Sequence, residues 1–331
     1  MLYDIEYPKI YTASNSVIEI LNQPIKWFKP SQTTLGQIVS YLFKIRPKEE
    51  DGVKNMKIQI IKMNNGSEIK LAMNASSKTP KAVVLYLHTV AGTYIQAGHL
   101  SRLLDSENIS YVSYTRAGND KKLKCTQYNF IGSISELEII IQYINTVFPN
   151  TPIHAVGASA GAALLTRYLA KHNQNKQISS AVLVSPGYDF INAMKSMNRF
   201  SKSYLLNRMK FTIQEFTSKE DLKGIRSFED WMHFQSKVLK YNNVDKYIED
   251  HNPCNFVHMI NVPTLCLSSL DDPIFVKKET CKYLNLPTIN HNITIVTTKQ
   301  GGHVMFNDSG HDVSWYIRVI YHWVLSAKSK K

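Results

Sequence analysis

Two early stretches of the chain set the first pattern. Lys57–Lys62 alternates apolar and polar positions as a strand does, and Asn64-Asn65-Gly66 then turns the chain into Glu68–Met73. The pattern changes at Ala82–Leu87, an unbroken apolar run suited to a strand buried on both faces. Helix and strand patterns then alternate. Residues 94–104 read as a helix and 110–114 as a strand, and Ile134–Val147 carries apolar residues at helical spacing and stops before Pro149. Residues 154–156 form a short strand, 162–171 a helix and 181–184 another buried strand. This rhythm predicts an α/β fold, a mostly parallel central sheet with helices on both faces.

Residues 189–260 break the rhythm. They are rich in Met and aromatic residues, among them Met194, Phe200, Met209 and Trp231, and read as mostly helical. Such a stretch is ordinary core in many proteins; its place between two core strands also suits a helical cap inserted over an apolar pocket. The sheet resumes at 263–267 and 293–296, and residues 313–325 form a closing helix. Residues 1–50 read as a peripheral N-terminal segment ending in a charged loop, which leaves 51–331 as the main domain.

Composition narrows the function classes. The 331 residues are 44% hydrophobic and 20% charged, so the chain can bury a core, and no low-complexity tract points to disorder. The net charge of +13 is compatible with anionic partners. No metal-finger spacing and no arginine-rich helix with interleaved aromatics accompanies it, so nucleic acid is not an expected partner. The four cysteines form no CxxC pair and no metal-binding spacing, and a reducing, intracellular compartment is the simpler assumption. No signal peptide and no transmembrane helix is expected, so the protein is placed in the cytoplasm or at a membrane periphery. Two short apolar segments, residues 17–21 leading to Trp27-Phe28 and residues 35–43, read as helices that either pack on the domain or lie in a bilayer interface. Together with the charge they allow weak peripheral contact with an anionic membrane.

The chemistry concentrates at three places. Gly157-Ala158-Ser159-Ala160-Gly161 matches G-x-S-x-G, with a strand running into it and a helix leaving it, the setting of a nucleophile elbow. A serine hydroxyl needs an adjacent base, and the base an orienting carboxylate. His303, after Gly301-Gly302 in a loop following a late strand, fits the base. Asp271 and Asp272, in the loop after the 263–267 strand, compete for the acid, because adjacent side chains of an extended segment point to opposite sides. Asp272 is preferred, since Pro273 fixes the backbone directly after it, and Asp271 is expected to cap the turn. The oxyanion donors are expected at the backbone N–H groups of Ala160 and of Val90, in the loop His88-Thr89-Val90-Ala91-Gly92.

With these residues in place the sequence resembles the YheT-like branch of the α/β-hydrolases, which includes bacterial esterases and eukaryotic ABHD-type lipid hydrolases. The resemblance runs over roughly residues 55–325. It rests on 88–92, Tyr114-Thr115-Arg116-Ala117-Gly118, the elbow, Leu270-Asp271-Asp272-Pro273 and Gly301-Gly302-His303. It implies the α/β-hydrolase fold, Ser159 as nucleophile, Asp272 as acid and His303 as base, and no metal or organic cofactor. Thr89 stands where glycine is common in the family, a departure expected to reshape the loop. The implied activity is hydrolysis of carboxylic esters, with acylglycerols or phospholipids as substrates. A short-chain carboxylesterase and a non-catalytic binding protein of the same fold remain open alternatives.

Overall fold

The computed structural model describes residues 3–13, 18–28, 52–74, 79–174, 177–309 and 311–328. In chain order it contains β1 (Tyr3–Glu6), β2 (Lys9–Thr12), β3 (Ile25–Phe28), β4 (Lys57–Lys62), β5 (Glu68–Met73), β6 (Ala82–Leu87), α1 (Gly98–Asp105), β7 (Ile109–Thr115), α2 (Ile134–Val147), β8 (Ile153–Ala158), α3 (Ala160–Lys171) and β9 (Ile178–Val184). Five helices follow: α4 (Phe190–Ser196), α5 (Arg199–Ile213), α6 (Lys219–Gly224), α7 (Phe228–Val238) and α8 (Val244–His251). The chain then closes with β10 (Thr264–Ser269), α9 (Lys277–Cys281), α10 (Leu286–Ile289), β11 (Ile293–Thr298) and α11 (Trp315–Lys328).

Nine strands make one sheet in the order β2-β11-β10-β9-β8-β6-β7-β5-β4. The six strands from β11 to β7 run parallel, while β2 and the β4–β5 hairpin are antiparallel at the two edges. Alternate residues of the central strands enter separate cores. Val83, Leu85 and Leu87 of β6 pack with Ile140 of α2 and Leu164 of α3, whereas Val84 and Tyr86 pack with Leu100 of α1 and Ile320 of α11. That division explains the unbroken apolar runs: with helices on both faces, every position of β6, β7 and β8 is buried. A third core lies among the helices between β9 and β10, where Met194, Met209 and Trp231 meet Phe130 and Phe190. The aromatic and Met-rich stretch therefore has its own core, built over the loops at the ends of the central strands.

Two expected helices differ in the structure. The one expected at 94–104 begins only at Gly98, because residues 94–97 form turns and Ala97 has φ +62°. Of the segment expected at 17–28, residues 18–28 hold a short 3-10 turn at Glu19–Asn22 and then β3 rather than a surface helix. Ile25 and Trp27 are buried while Lys26 is exposed, the period of a strand. The segment expected at 35–43 lies outside the described residues.

The described part of the segment read as peripheral is woven into the fold. β2 pairs antiparallel with β11 and covers that edge of the sheet, and β1 pairs with β3. Trp27 packs edge-on against Trp315 with ring centroids 6.4 Å apart, and its indole N–H donates to Glu6 Oε2 at 2.8 Å. Ser309 N donates to Lys26 O at 2.7 Å, so β3 also ties down the chain ahead of α11. The physical reason is that an apolar strand edge and a buried tryptophan are more stable paired and packed than facing solvent. Trp27→Ala is expected to lower the unfolding free energy by about 3–5 kcal/mol, the usual range for a fully buried tryptophan. Urea denaturation reads this directly, and a loss below about 1 kcal/mol would mean that the N-terminal strands are not part of the cooperative unit.

Candidate active site

β8 passes into α3 through the single residue Ser159, which adopts φ +54° and ψ −113°. Such a turn tolerates no bulk around it. A Cβ on Gly157 would sit 2.5 Å from Gly161 O, and one on Gly161 would collide with Leu87 O at the end of β6. The glycines thus let strand, helix and the β6 loop approach backbone to backbone. Ser159 N donates to Val184 O at 2.9 Å, so the neighbouring strand β9 anchors the strained residue.

Two loops converge on Ser159. His303 Nε2 lies 2.9 Å from Ser159 Oγ, and His303 Nδ1 lies 2.8 Å from Asp272 Oδ2. In this arrangement Nδ1–H donates to the carboxylate and Nε2 accepts from the hydroxyl, the disposition that activates a serine. Asp272 is 4% exposed, and its other oxygen accepts the backbone N–H of Ile274 at 2.7 Å and of Phe275 at 2.9 Å. The carboxylate is held from its own loop before the imidazole arrives. Asp271 points elsewhere: Oδ1 accepts Gly302 N at 2.8 Å and the Ser269 hydroxyl, tying the aspartate loop to the histidine loop. Burial raises the Asp271 carboxyl above its ordinary range. The Phe275 ring stands edge-on to His303 at 5.3 Å, and Val304 N donates to Ser185 Oγ at 3.1 Å.

Val90 and Ala160, the two expected oxyanion donors, both line the cavity that holds Ser159. The carbonyl of Thr89 is unusually well satisfied. It accepts from Arg116 Nη2 at 2.7 Å, from His88 Nδ1 at 2.6 Å and from Gly92 N at 3.1 Å. In a trans peptide the C=O and the following N–H point in opposite directions. Fixing the Thr89 carbonyl therefore aims the Val90 N–H away from Arg116. Burial, reinforced by the Arg116 charge, pushes the His88 imidazole well below its usual value. Neutral His88 accepts Arg116 N–H at Nε2 (3.2 Å) and donates from Nδ1. Thr89 N donates to Gln96 Oε1 at 2.9 Å, and Asn119 Nδ2 donates to the carbonyls of Val90 and Gly92. Thr89 adopts no positive φ, so the departure from glycine leaves the loop unstrained.

The site opens into a cavity of about 140 Å³ with a mostly apolar wall. Phe130, Ile131 and Ala163 line it from the main domain, Phe190 and Met194 from α4, and Leu205 and Met209 from α5. Ser159, Asp272 and His303, the three polar groups expected from the sequence, meet here, whereas the contacts of Arg116, Gln96 and Asn119 have no counterpart in the sequence pattern. The available signal was the position of Arg116 directly after a fully buried strand, where a guanidinium must find acceptors. Among the described residues no cluster of His, Cys, Asp and Glu suits a metal ion.

Comparison with known proteins agrees with this architecture. The family model described as serine aminopeptidase, S33 matches residues 78–310. Phospholipase ABHD3 of Bos taurus is 26% identical over 277 residues, which cover 75% of this chain. Monoacylglycerol lipase ABHD2 of Mus musculus is 22% identical over 224 residues, 55% of this chain and 53% of that protein. The chain spans 66% of the length of the phospholipase relative. Among solved structures, Est1E of Butyrivibrio proteoclasticus with ferulic acid bound superposes with a TM-score of 0.55 at 13% identity, covering 82% of this chain and 100% of that one. A carboxyl esterase of Bacillus coagulans in complex with glycerol gives a TM-score of 0.55 at 12% identity, covering 82% and 99%. These likenesses in structure show the α/β-hydrolase fold.

Arg116→Lys keeps the charge but loses the fork that grips Thr89 O and Ile131 O. It is expected to slow reaction of Ser159 with a fluorophosphonate by roughly 10–100-fold, the scale on which a disturbed oxyanion donor acts. Labelling kinetics on protein shown folded by circular dichroism check this; a slowing below about threefold would mean that the loop holds its shape without the guanidinium.

Proposed function

This chain belongs to the serine aminopeptidase S33 family of α/β-hydrolases, and from that premise we propose that it is a serine hydrolase of lipid-like carboxylic esters. One observation carries the reading: the relay Ser159 Oγ–His303 Nε2, His303 Nδ1–Asp272 Oδ2 stands in the wall of an apolar cavity. Ser159 attacks the acyl carbonyl while His303 takes its proton, and Asp272 stabilises the imidazolium. The N–H groups of Val90 and Ala160 receive the oxyanion. His303 then protonates the leaving alcohol, and water, deprotonated by the same imidazole, releases the acid from the acyl-enzyme. The reaction asks for no cofactor. The relatives named phospholipase and monoacylglycerol lipase favour an acylglycerol or phospholipid as substrate. A second reading, a short-chain carboxylesterase, is favoured by the cavity itself: about 140 Å³ is close to the ~150 Å³ that accommodates one benzene.

Wild-type protein should be labelled at Ser159 by a fluorophosphonate, and Ser159→Ala should not; absence of labelling in the wild type would favour a binding protein. Asp272→Asn is expected to lower kcat by roughly 10⁴-fold, because an amide cannot stabilise the imidazolium. Asp271→Asn is expected to cost far less in kcat and to act mainly on stability. Reversal of the two would move the acid role to Asp271. A nitrophenyl ester series from butyrate to palmitate separates the two substrate readings: kcat/KM peaking at medium or long chains supports the lipid reading, and a steady fall from butyrate supports the carboxylesterase.

Weak contact with an anionic membrane forms part of the proposal. Among the described residues no helix is long and apolar enough to cross a bilayer. Because β1, β2 and β3 are packed in the fold, the contact is assigned to the cap helix α5. Phe200 and Phe211 are 55% and 51% exposed there, about three turns apart on the same side, with Arg199, Lys202 and Lys210 nearby in sequence. The protein is expected to cosediment with anionic vesicles and less so as salt rises, since the Debye length shrinks from about 10 Å at 0.1 M to about 3 Å at 1 M. Phe200→Ser combined with Phe211→Ser should weaken this binding and leave hydrolysis of a soluble ester unchanged. Equal binding to neutral vesicles, or no effect of the double substitution, would sink the assignment.

A further inference from the structure

Helix α5 also forms part of the wall around Ser159, through Tyr204, Leu205, Arg208 and Met209. Arg208 is the one residue of permanent charge lining that cavity among the described residues, and no carboxylate lines it. Its guanidinium makes no ion pair among the described residues, and its Nε is buried with no hydrogen-bond partner there. The Phe211 ring, with its centroid 6.0 Å from Arg208 Cζ, supports the side chain from the same helix. A cation beside an apolar wall with an unmet donor is unfavourable until an anion completes it. Two other charged groups of the cap, Lys210 and Asp221, have partners of their own, Ile225 O and Lys237 respectively.

We propose that Arg208 binds the phosphodiester of a glycerophospholipid and so determines specificity, favouring phosphate-bearing lipid esters over neutral acylglycerols. The proposal rests on the hydrolase reading above and deepens it. The planar guanidinium presents paired donors that match two phosphate oxygens, a match that a neutral glycerol cannot supply. In a glycerophospholipid the phosphodiester and the acyl ester share one glycerol backbone. With the ester at Ser159 and the acyl chain along the apolar wall, the phosphate remains within the same enclosure as Arg208.

The test uses full-length protein and monomeric dodecylphosphocholine, which carries a phosphodiester on an alkyl chain but no ester to cleave. Dodecyl maltoside serves as the neutral match and laurate as the carboxylate match. Arg208→Met is expected to weaken dodecylphosphocholine binding by roughly tenfold or more, the worth of a hydrogen bond to a charged group, while dodecyl maltoside binding changes less than about twofold. Arg208→Lys should retain part of the affinity. In kinetics, Arg208→Met should lower kcat/KM for lysophosphatidylcholine through KM and leave a monoacylglycerol of the same acyl chain unchanged. Equal losses for phosphodiester and neutral ligands, or none for either, would overturn the proposal. A loss confined to laurate would overturn it in favour of a carboxylate site. Arg208-dependent binding in a chain that cleaves neither ester would sink the hydrolase reading instead, so the two failures are told apart.

Discussion

The passage from β8 to α3 in one residue is the constraint on which the site depends. Ser159 is held at φ +54° between a central strand and a helix, so its hydroxyl stands clear of both backbones. The residues on either side must be small because the polypeptide crosses itself there: Gly157 faces Gly161 O, and Gly161 faces the end of β6. That close approach brings the loop after β6 beside the serine, where Val90 and Ala160 line the same cavity. Backbone strain of this kind persists only where the surroundings over-determine it. The surroundings here are a parallel sheet buried on both faces, with Ser159 N bonded to β9.

Around the elbow, polar groups are fixed by backbone donors and acceptors rather than by one another alone. Asp272 is seated by two N–H groups of its own loop, Asp271 clamps that loop to Gly302, and Arg116 with His88 grips Thr89 O. Each contact removes a freedom that the site would otherwise lose on binding substrate, which is the physical content of preorganisation. Burial pushes the nearby Glu136 carboxyl up to about 7, and the same burial lowers the Arg116 guanidinium below its ordinary value. Arg116 spends its donors on carbonyl oxygens, which makes it a brace for the loop.

The N-terminal strands reach the site from the opposite edge of the sheet. Glu6 accepts both the Trp27 indole N–H and the backbone N–H of Lys299, only a few residues before His303. β2 lies along β11, whose end leads into the same loop. The segment therefore buttresses the loop that carries His303 as well as covering an exposed strand edge. On the other side the cap helices supply the apolar wall, with α5 presenting Leu205, Arg208 and Met209 inward and Phe200 and Phe211 to solvent. One helix thereby faces both the cavity and the surroundings.

Much of this was legible in the sequence. The unbroken runs at Ala82–Leu87 and 181–184 declared strands buried on both faces, because periodicity follows directly from which sides of an element are covered. The small residues around Ser159 declared the elbow, because backbone sterics act between neighbours in the chain. Glycines before His303 and Pro273 after Asp272 marked the loops for the same local reason. Only the tertiary structure decided what depends on groups distant in sequence. It set Asp272 rather than Asp271 against the imidazole, turned Ile25–Phe28 into a strand packed on Trp315, and put the Arg116 guanidinium on the Thr89 carbonyl. It also delayed the start of α1 to Gly98, with Ala97 turned to φ +62° just before it. A hydrogen bond between remote loops leaves no period and no local steric mark, so its partners are chosen only when the sheet brings the loops together.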